Sequence, residues 1–220
     1  MNRSIAILGG TFDPVHYGHI RSAVAVREHL GLSGVRLIPS YEPPHRSRPE
    51  CSADHRLAML RIAVEDVSGV TVDDREIQRQ GISYTVDTLR SLREELADVP
   101  LCIVLGMDAF YTLDQWYEWR KVADLAHLVV LKRPGHDKSL VPVGIREWAA
   151  EREPVNTDDL GYNVSGLVAY LELEQIPASS TDIRNAFHRG DVPCGILPGA
   201  VIQYINHHGL YQQRKSPLRV

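Results

Sequence analysis

Apolar and polar positions along this chain follow two periods that take turns. The run Ile5–Leu8, closed by Gly9 and Gly10, is short and continuously apolar, the pattern of a strand buried on both faces. Behind it, "YGHIRSAVAVREHLG" brings Ile20, Ala23, Val24, Val26 and Leu30 round at close to helical spacing, with Gly31 placed as a stop. "VRLIP" is a second strand, so the chain up to Pro39 forms one βαβ unit with the glycine pair at its first turn. A proline-rich, basic loop, "SYEPPHRSRPECS", leads to a helix over residues 53–67 that Ser52 is placed to cap. "VTVDDREIQR" predicts a short strand and a turn, "TVDTLRSLREEL" an amphipathic helix, and "LCIVLG" a buried strand ending in glycine. "WYEWRKVADLA" predicts a helix and "HLVVLKRPG" a strand running into a turn, whereas residues 136–166 have only weak periodicity. "LVAYLEL" is the last strand, "SSTDIRNAFHRG" a capped helix and "AVIQYINHHG" a final helix after Pro198. This alternation predicts an α/β fold: a doubly wound parallel sheet with helices on both faces and a small C-terminal helical part. No repeat or low-complexity segment marks a second unit. Residues 1–213 are expected to form a single domain and 214–220 a tail.

Composition narrows the function classes. The chain has 220 residues, enough to bury a core without staples, and is 44% hydrophobic and 24% charged, as ordinary soluble globular proteins are. A net charge of −4 gives no footprint for nucleic acid or anionic lipid, so neither a nucleic-acid nor a membrane partner is expected. Basic residues do gather at His45-Arg46-Ser47-Arg48, Lys132-Arg133 and Arg184 to Arg189; small patches on an acidic protein suit a small anionic ligand. Cys51, Cys102 and Cys194 are odd in number and far apart, which reads as reduced thiols in a cytoplasmic protein, with Cys102 in the core. The N-terminus lacks the pattern of a signal peptide, and no apolar run approaches the ~20 residues of a membrane span. The sequence specifies no oligomeric state.

Two stretches carry chemistry. In "GGTFDPVHYGHI" the glycines follow a strand and precede a helix, where peptide N–H groups favour phosphate. This is neither G-x-G-x-x-G nor a P-loop. An H-x-G-H stands in their place: Pro14 should hold the chain extended, His16 falls at the helix start, and His19 about one turn later. Two imidazoles facing one anion could both donate hydrogen bonds to it. Histidines three apart also suit a metal, although no Cys or acidic ligand shares the spacing. The second stretch, "SSTDIR", follows a strand at a helix start. Alone it is an N-cap; beside the first, its N–H groups and Arg184 can form another anion-facing turn, converging across the sheet crevice.

With these stretches in hand, the chain resembles the H-x-G-H nucleotidyltransferases, and within them the bacterial nicotinate-nucleotide adenylyltransferase family. The matches run in order through "GGTFDPVHYGH", "PPHR", "SYTVDTL", "GMDAF…WYEW", "VVLKRPG", "SSTDIR" and "YINHHGLY", over residues 5 to 211. Tyr17 stands where many members carry Asn, and Ala178 where Ile is usual. The resemblance implies a Rossmann-like nucleotidyltransferase fold and transfer of AMP from ATP to nicotinate mononucleotide, giving deamido-NAD and pyrophosphate in NAD biosynthesis. It implies Mg²⁺ as the ion that comes with ATP, and no protein metal site. His16, His19 and Arg184 would be the catalytic donors. Gly9, Gly10, Thr11, Phe12, Gly106, Asp108, Ser180 and Thr181 would shape the ATP site. His45, Arg46, Thr85, Trp116, Tyr117 and Arg133 would bind the mononucleotide, with the first two on its phosphate and Thr85, Trp116 and Tyr117 round its base.

Other readings compete on the same residues. A related adenylyltransferase could act on nicotinamide mononucleotide or phosphopantetheine, but the phosphopantetheine enzymes are shorter and lack the PPHR, SYT and W-Y-E-W stretches. Class I aminoacyl-tRNA synthetases share a His-x-Gly-His-like signature, but this chain is short, acidic and without their lysine loop. A nucleotide-sensing module without catalysis would not need both histidines and Arg184.

Overall fold

The computed structural model describes residues 3–44, 48–132, 140–154, 156–173 and 178–212. Of the expectations above, His45, Arg46, Arg133 and the 214–220 tail lie outside them. Among the described residues, the apolar runs do form strands: β1 (Ile5–Gly10), β2 (Gly34–Pro39), β3 (Val70–Val72), β4 (Leu101–Gly106), β5 (His127–Lys132) and β6 (Val168–Glu172). They make one all-parallel sheet in the order β3-β2-β1-β4-β5-β6, the doubly wound topology the alternation predicts.

Successive strand side chains point to opposite faces, and both faces are covered. On one side Ala6, Cys102, Val104, Val129 and Leu131 pack against α1 (Tyr17–His29), α2 (Ala53–Val64), α9 (Ser180–Arg189) and α10 (Gly199–His208). On the other, Ile7, Ile103, Leu105, Leu128 and Val130 pack against α4 (Thr85–Leu96), α6 (Trp119–Leu125) and α7 (Val143–Ala150). Ser52 caps α2 through His55 N–H, and Gly31, at φ +59°, follows the end of α1. No helix among the described residues is long and apolar enough to cross a membrane.

Three local expectations need correction. The turn foreseen after β3 is a short helix, α3 (Arg75–Arg79), which the pattern hid because Glu76 is its one buried side chain. The uninformative stretch 136–166 contains α7 and the four-residue α8 (Asp159–Tyr162); α7 anchors itself with Ile145, Trp148 and Ala149. The chain turns at Asp13–Pro14, a cis peptide, where an extended run was expected.

The sheet opens at its middle. β1 pairs with β2 along its full length, but with β4 only from Ile5–Leu101 to Ile7–Ile103. Past that point the carboxyl ends of β1 and β4 separate, which is where α/β sheets of this order place their ligand crevice. The β1 side of the opening leans on Arg56 of α2, which is 1% exposed and holds the loops that leave β1 and β2. Its guanidinium donates to the carbonyl of Thr11 at 2.7 Å, of Tyr41 at 3.1 Å and of Cys51 at 3.4 Å. Arg56→Met keeps the buried volume but strips three carbonyls of their donor. It is expected to lower unfolding free energy by about 3 kcal/mol in a urea titration. A midpoint within error of wild type would show that Arg56 is a passenger in the core.

Candidate active site

β1 ends in Gly9 and Gly10, and the turn after them is pinned. Phe12 is 2% exposed and sits at φ +50°, a backbone region that bulky residues seldom take and that clusters at functional sites. Asp13, 5% exposed, accepts from Glu50 N–H at 2.8 Å, from Cys51 N–H at 3.3 Å and from the Tyr211 hydroxyl at 2.6 Å. Burial pushes the Tyr211 hydroxyl far above its ordinary pKa, so it stays protonated and donating.

The turn delivers the two histidines. His16 is the N-cap residue of α1 and His19 stands in its first turn, as the spacing suggests. The imidazoles are stacked, ring centres 3.7 Å apart, rather than side by side. The Phe12 ring meets His19 edge-on at 5.0 Å. His19 Nδ1 accepts from the His16 backbone N–H at 3.3 Å. A neutral His19 therefore carries its proton on Nε2. His16 is 6% exposed, and burial lowers its pKa to about 4, so it is neutral at pH 7. Gly18 explains itself here: a Cβ would stand 2.9 Å from His16 Nδ1, so any larger residue displaces that ring. Among the described residues two buried side-chain atoms lack a hydrogen-bond partner, His16 Nδ1 and Ser40 Oγ. Both belong to the loops that leave β1 and β2, next to the crevice, where orphaned polar groups mark function.

α9 supplies the second turn. Ser179 caps it through Asp182 N–H at 3.4 Å, and Ser180 Oγ donates to the Pro14 carbonyl at 3.0 Å, tying this helix start to the first turn. Arg184 donates to the Asp13 carbonyl at 2.7 Å and to Glu50 at 2.8 Å; Glu50 also meets His188 at 2.9 Å. A cleft of about 400 Å³ lies between the turns, lined by Gly9 to Asp13, His19, Arg48, Pro49, Glu50, Ser180, Thr181 and Arg184.

A second cleft, of about 490 Å³, fills the opening between β1 and β4 and shares Gly9, Gly10, Thr11 and His19 with the first. Thr85, Trp116 and Tyr117 line it, as do Gly106 and Asp108, which the resemblance put with the ATP-shaping residues. Tyr117 is half-exposed, its ring 4.8 Å from Tyr84. The N-terminus of α4 opens here, with no side-chain cap from Tyr84, so its first N–H groups face a potential ligand. Of the two imidazoles, His19 lines both clefts and His16 neither.

Sequence reasoning missed several residues. Asp13, Glu50 and Arg56 build or line the two turns, and Ser40, Pro43, Pro44, Glu76 and Ser83 line the larger cleft; Arg48, read only as part of a basic patch, lines the smaller one. Glu76 places a carboxyl beside the larger cleft; burial raises its pKa, while the Thr88 and Ser83 hydroxyls and Arg79 pull it back. Burial also pushes the Cys51 thiol to about 11 and Cys102 to about 12, so neither offers a thiolate nucleophile at neutral pH. Two donor-rich clefts meeting at one imidazole can bring two anionic reactants together.

Comparison with known proteins agrees with this geometry. The model of the Cytidylyltransferase-like family matches residues 7–186. A protein of Aeromonas salmonicida, named "Probable nicotinate-nucleotide adenylyltransferase", is 43% identical over 94% of this chain and 97% of its own length. One of Chromohalobacter salexigens with the same name is 45% identical over 94% and 95%. Among solved structures, the Plasmodium falciparum nicotinic acid mononucleotide adenylyltransferase complexed with NaAD superposes with a TM-score of 0.73 over 95% of this chain and 97% of that one, at 17% identity, a likeness of fold. Identity above two-fifths across nearly the whole length, on top of the matching family model, makes this chain a member of the nicotinate-nucleotide adenylyltransferase family.

Proposed function

We propose that the site transfers AMP from ATP to nicotinate mononucleotide, giving deamido-NAD and pyrophosphate, a step of NAD biosynthesis. The observation that carries this reading is the meeting of two unlike clefts at Gly9, Gly10, Thr11 and His19. One is rimmed by anion donors, Arg48, Ser180, Thr181 and Arg184, and suits a triphosphate. The other offers Trp116, Tyr117 and the open start of α4, and suits an aromatic ring bearing a carboxylate. The names carried by the relatives support the same pair of substrates.

The chemistry follows from the donors. The second pKa of the mononucleotide's 5′-phosphate is about 6, so it is largely dianionic near neutral pH and needs no general base. One of its oxygens bonds to the α-phosphorus of ATP as the bond from that phosphorus to the bridging oxygen breaks and pyrophosphate leaves. The residues' task is to align two anions and to stabilise charge on the α-phosphoryl oxygens and the leaving group. We assign that donation to His19 Nε2, Arg184, the Thr181 hydroxyl and the N–H groups at the start of α9, the Ser180 hydroxyl being spent on the Pro14 carbonyl. His16 backs the His19 ring and fixes its tautomer through its own N–H. Arg184 already holds a carboxylate, Glu50, which arriving phosphate would replace or share.

Pro43 and Pro44 line the larger cleft and Arg48 the smaller; His45 and Arg46 are assigned to the mononucleotide phosphate on the resemblance of the PPHR stretch alone. Among the described residues no group of three or more His, Cys, Asp or Glu could hold a metal. Mg²⁺ keeps several waters and takes most other ligands from substrate phosphates, so a single carboxylate beside the triphosphate would suffice for it. Of the two carboxylates lining the smaller cleft, Asp13 holds three donors and Glu50 holds Arg184 and His188, so Glu50 would face a hydrated ion once phosphate takes over Arg184. When bound, Mg²⁺ supplies neutralisation of the triphosphate charge.

Two outcomes are expected. His19→Ala should lower kcat by about 100- to 1000-fold with the fold intact, as loss of one oxyanion donor does elsewhere. Steady-state kinetics beside circular dichroism checks it, and a fully active His19→Ala enzyme contradicts the donor role. The substrate reading is tested by pyrophosphate release with ATP, Mg²⁺ and a panel of nicotinate mononucleotide, nicotinamide mononucleotide and phosphopantetheine. A carboxylate satisfies the α4 N–H donors, whereas a carboxamide turns its own NH₂ against at least one. The acid should therefore be favoured by up to about 100-fold in kcat/KM, one buried donor left unpaired at about 1–3 kcal/mol. Equal values, or a better rate with the amide, contradict the acid-specific pocket.

A further inference from the structure

α3 buries one side chain, Glu76, which lines the larger cleft and which the transfer step does not use. Its carboxylate accepts the Thr88 hydroxyl at 2.5 Å and the Ser83 hydroxyl as well. Each hydroxyl oxygen also receives a donor of its own: Tyr41 N–H reaches Ser83 Oγ at 2.9 Å, and Arg79 reaches Thr88 Oγ1 at 3.2 Å. The Ser83 proton is thereby turned toward Glu76, and Thr88 Oγ1, which also reaches the Tyr84 carbonyl at 3.4 Å, makes its shorter bond to Glu76, which when ionised only accepts. Ser83 N–H donates to the Glu42 carbonyl at 2.9 Å, and Glu42 and Ile82 form an isolated parallel bridge. One carboxylate thus ties down the turn 82–85 that opens α4 and the 41–44 loop that runs toward His45 and Arg46. Ser83 and Thr88 bracket Thr85, and none of the residues in these contacts lines the smaller cleft.

We infer that Glu76 is a positioning residue for acceptor recognition: it sets the place of the α4 N-terminus and of the 41–44 loop, and so the affinity for the mononucleotide, without bearing on ATP. The inference rests on the larger cleft being the acceptor's. Glu76→Gln tests it, because the amide keeps the shape but brings an NH₂ against hydroxyls whose protons point the same way. With each substrate varied in turn, Glu76→Gln should raise KM for nicotinate mononucleotide about tenfold, the scale of one buried hydrogen bond, with KM for ATP and kcat within about twofold. Ser83→Ala should give a smaller rise of the same kind. The double variant should be no worse than Glu76→Gln alone, since both act through one network. Equal rises in both KM values, or an unchanged mononucleotide KM, overturn the inference; so does a lower one, which would make Glu76 a source of charge repulsion. If Glu76→Gln does not fold, an unchanged mononucleotide KM in Ser83→Ala overturns it. A wild-type enzyme that fails to use nicotinate mononucleotide overturns the acceptor assignment itself, before any variant is compared.

Discussion

A buried carboxylate, Asp13, takes hydrogen bonds from the Glu50 and Cys51 backbone and from Tyr211, while its own carbonyl takes one from Arg184. Two residues away Arg56 holds the Thr11 carbonyl from within the core, close enough that the Asp13 charge opposes the lowering of its pKa by burial. A strand-to-helix turn with Phe12 in a left-handed conformation would not keep its shape unaided. Here it is fastened to α2, to the loop before α2, to α9 and to the C-terminal segment at once. The His16–His19 stack begins three residues after Asp13, so its position follows from this clasp.

That arrangement suits a reaction whose nucleophile arrives already charged. The clefts need donors that do not move, in a setting poor in competing water, more than they need a base. A buried Asp13 and Arg56 cost desolvation, and each is acceptable only because its hydrogen bonds are filled. The same logic recurs on the acceptor side, where Glu76 is filled by two hydroxyls. On the proposed reading, polar groups that never touch a reactant hold in place the thin layer of groups that face one.

Local signals made much of this visible in the sequence. Continuous apolar runs gave the five longer strands, and Ser52, the SST stretch and Gly31 marked helix ends because capping and left-handed stops are local chemistry. The H-x-G-H and SSTDIR turns were legible for the same reason. Asp13, Arg56, Glu76 and Tyr211 were not: each acts through partners distant in sequence, and Arg56 reads simply as a polar position on α2. Tyr211 meets Asp13 across 198 residues. The short α3 has too few turns to show a period, and the separation of β1 from β4 is a property of pairing, invisible in either strand alone.

If the clasp on the first turn preorganises the phosphate site, then disturbing Asp13 without changing its shape should slow chemistry more than it weakens the fold. The measurement is the single-turnover rate of deamido-NAD formation by Asp13→Asn at saturating ATP, Mg²⁺ and nicotinate mononucleotide, with circular dichroism as control. An amide cannot accept from all three donors without turning its NH₂ on one of them. The expected result is a folded protein whose single-turnover rate falls by about 100-fold, the scale of a small misplacement of reacting groups. A folded Asp13→Asn enzyme that turns over at the wild-type rate would contradict the account.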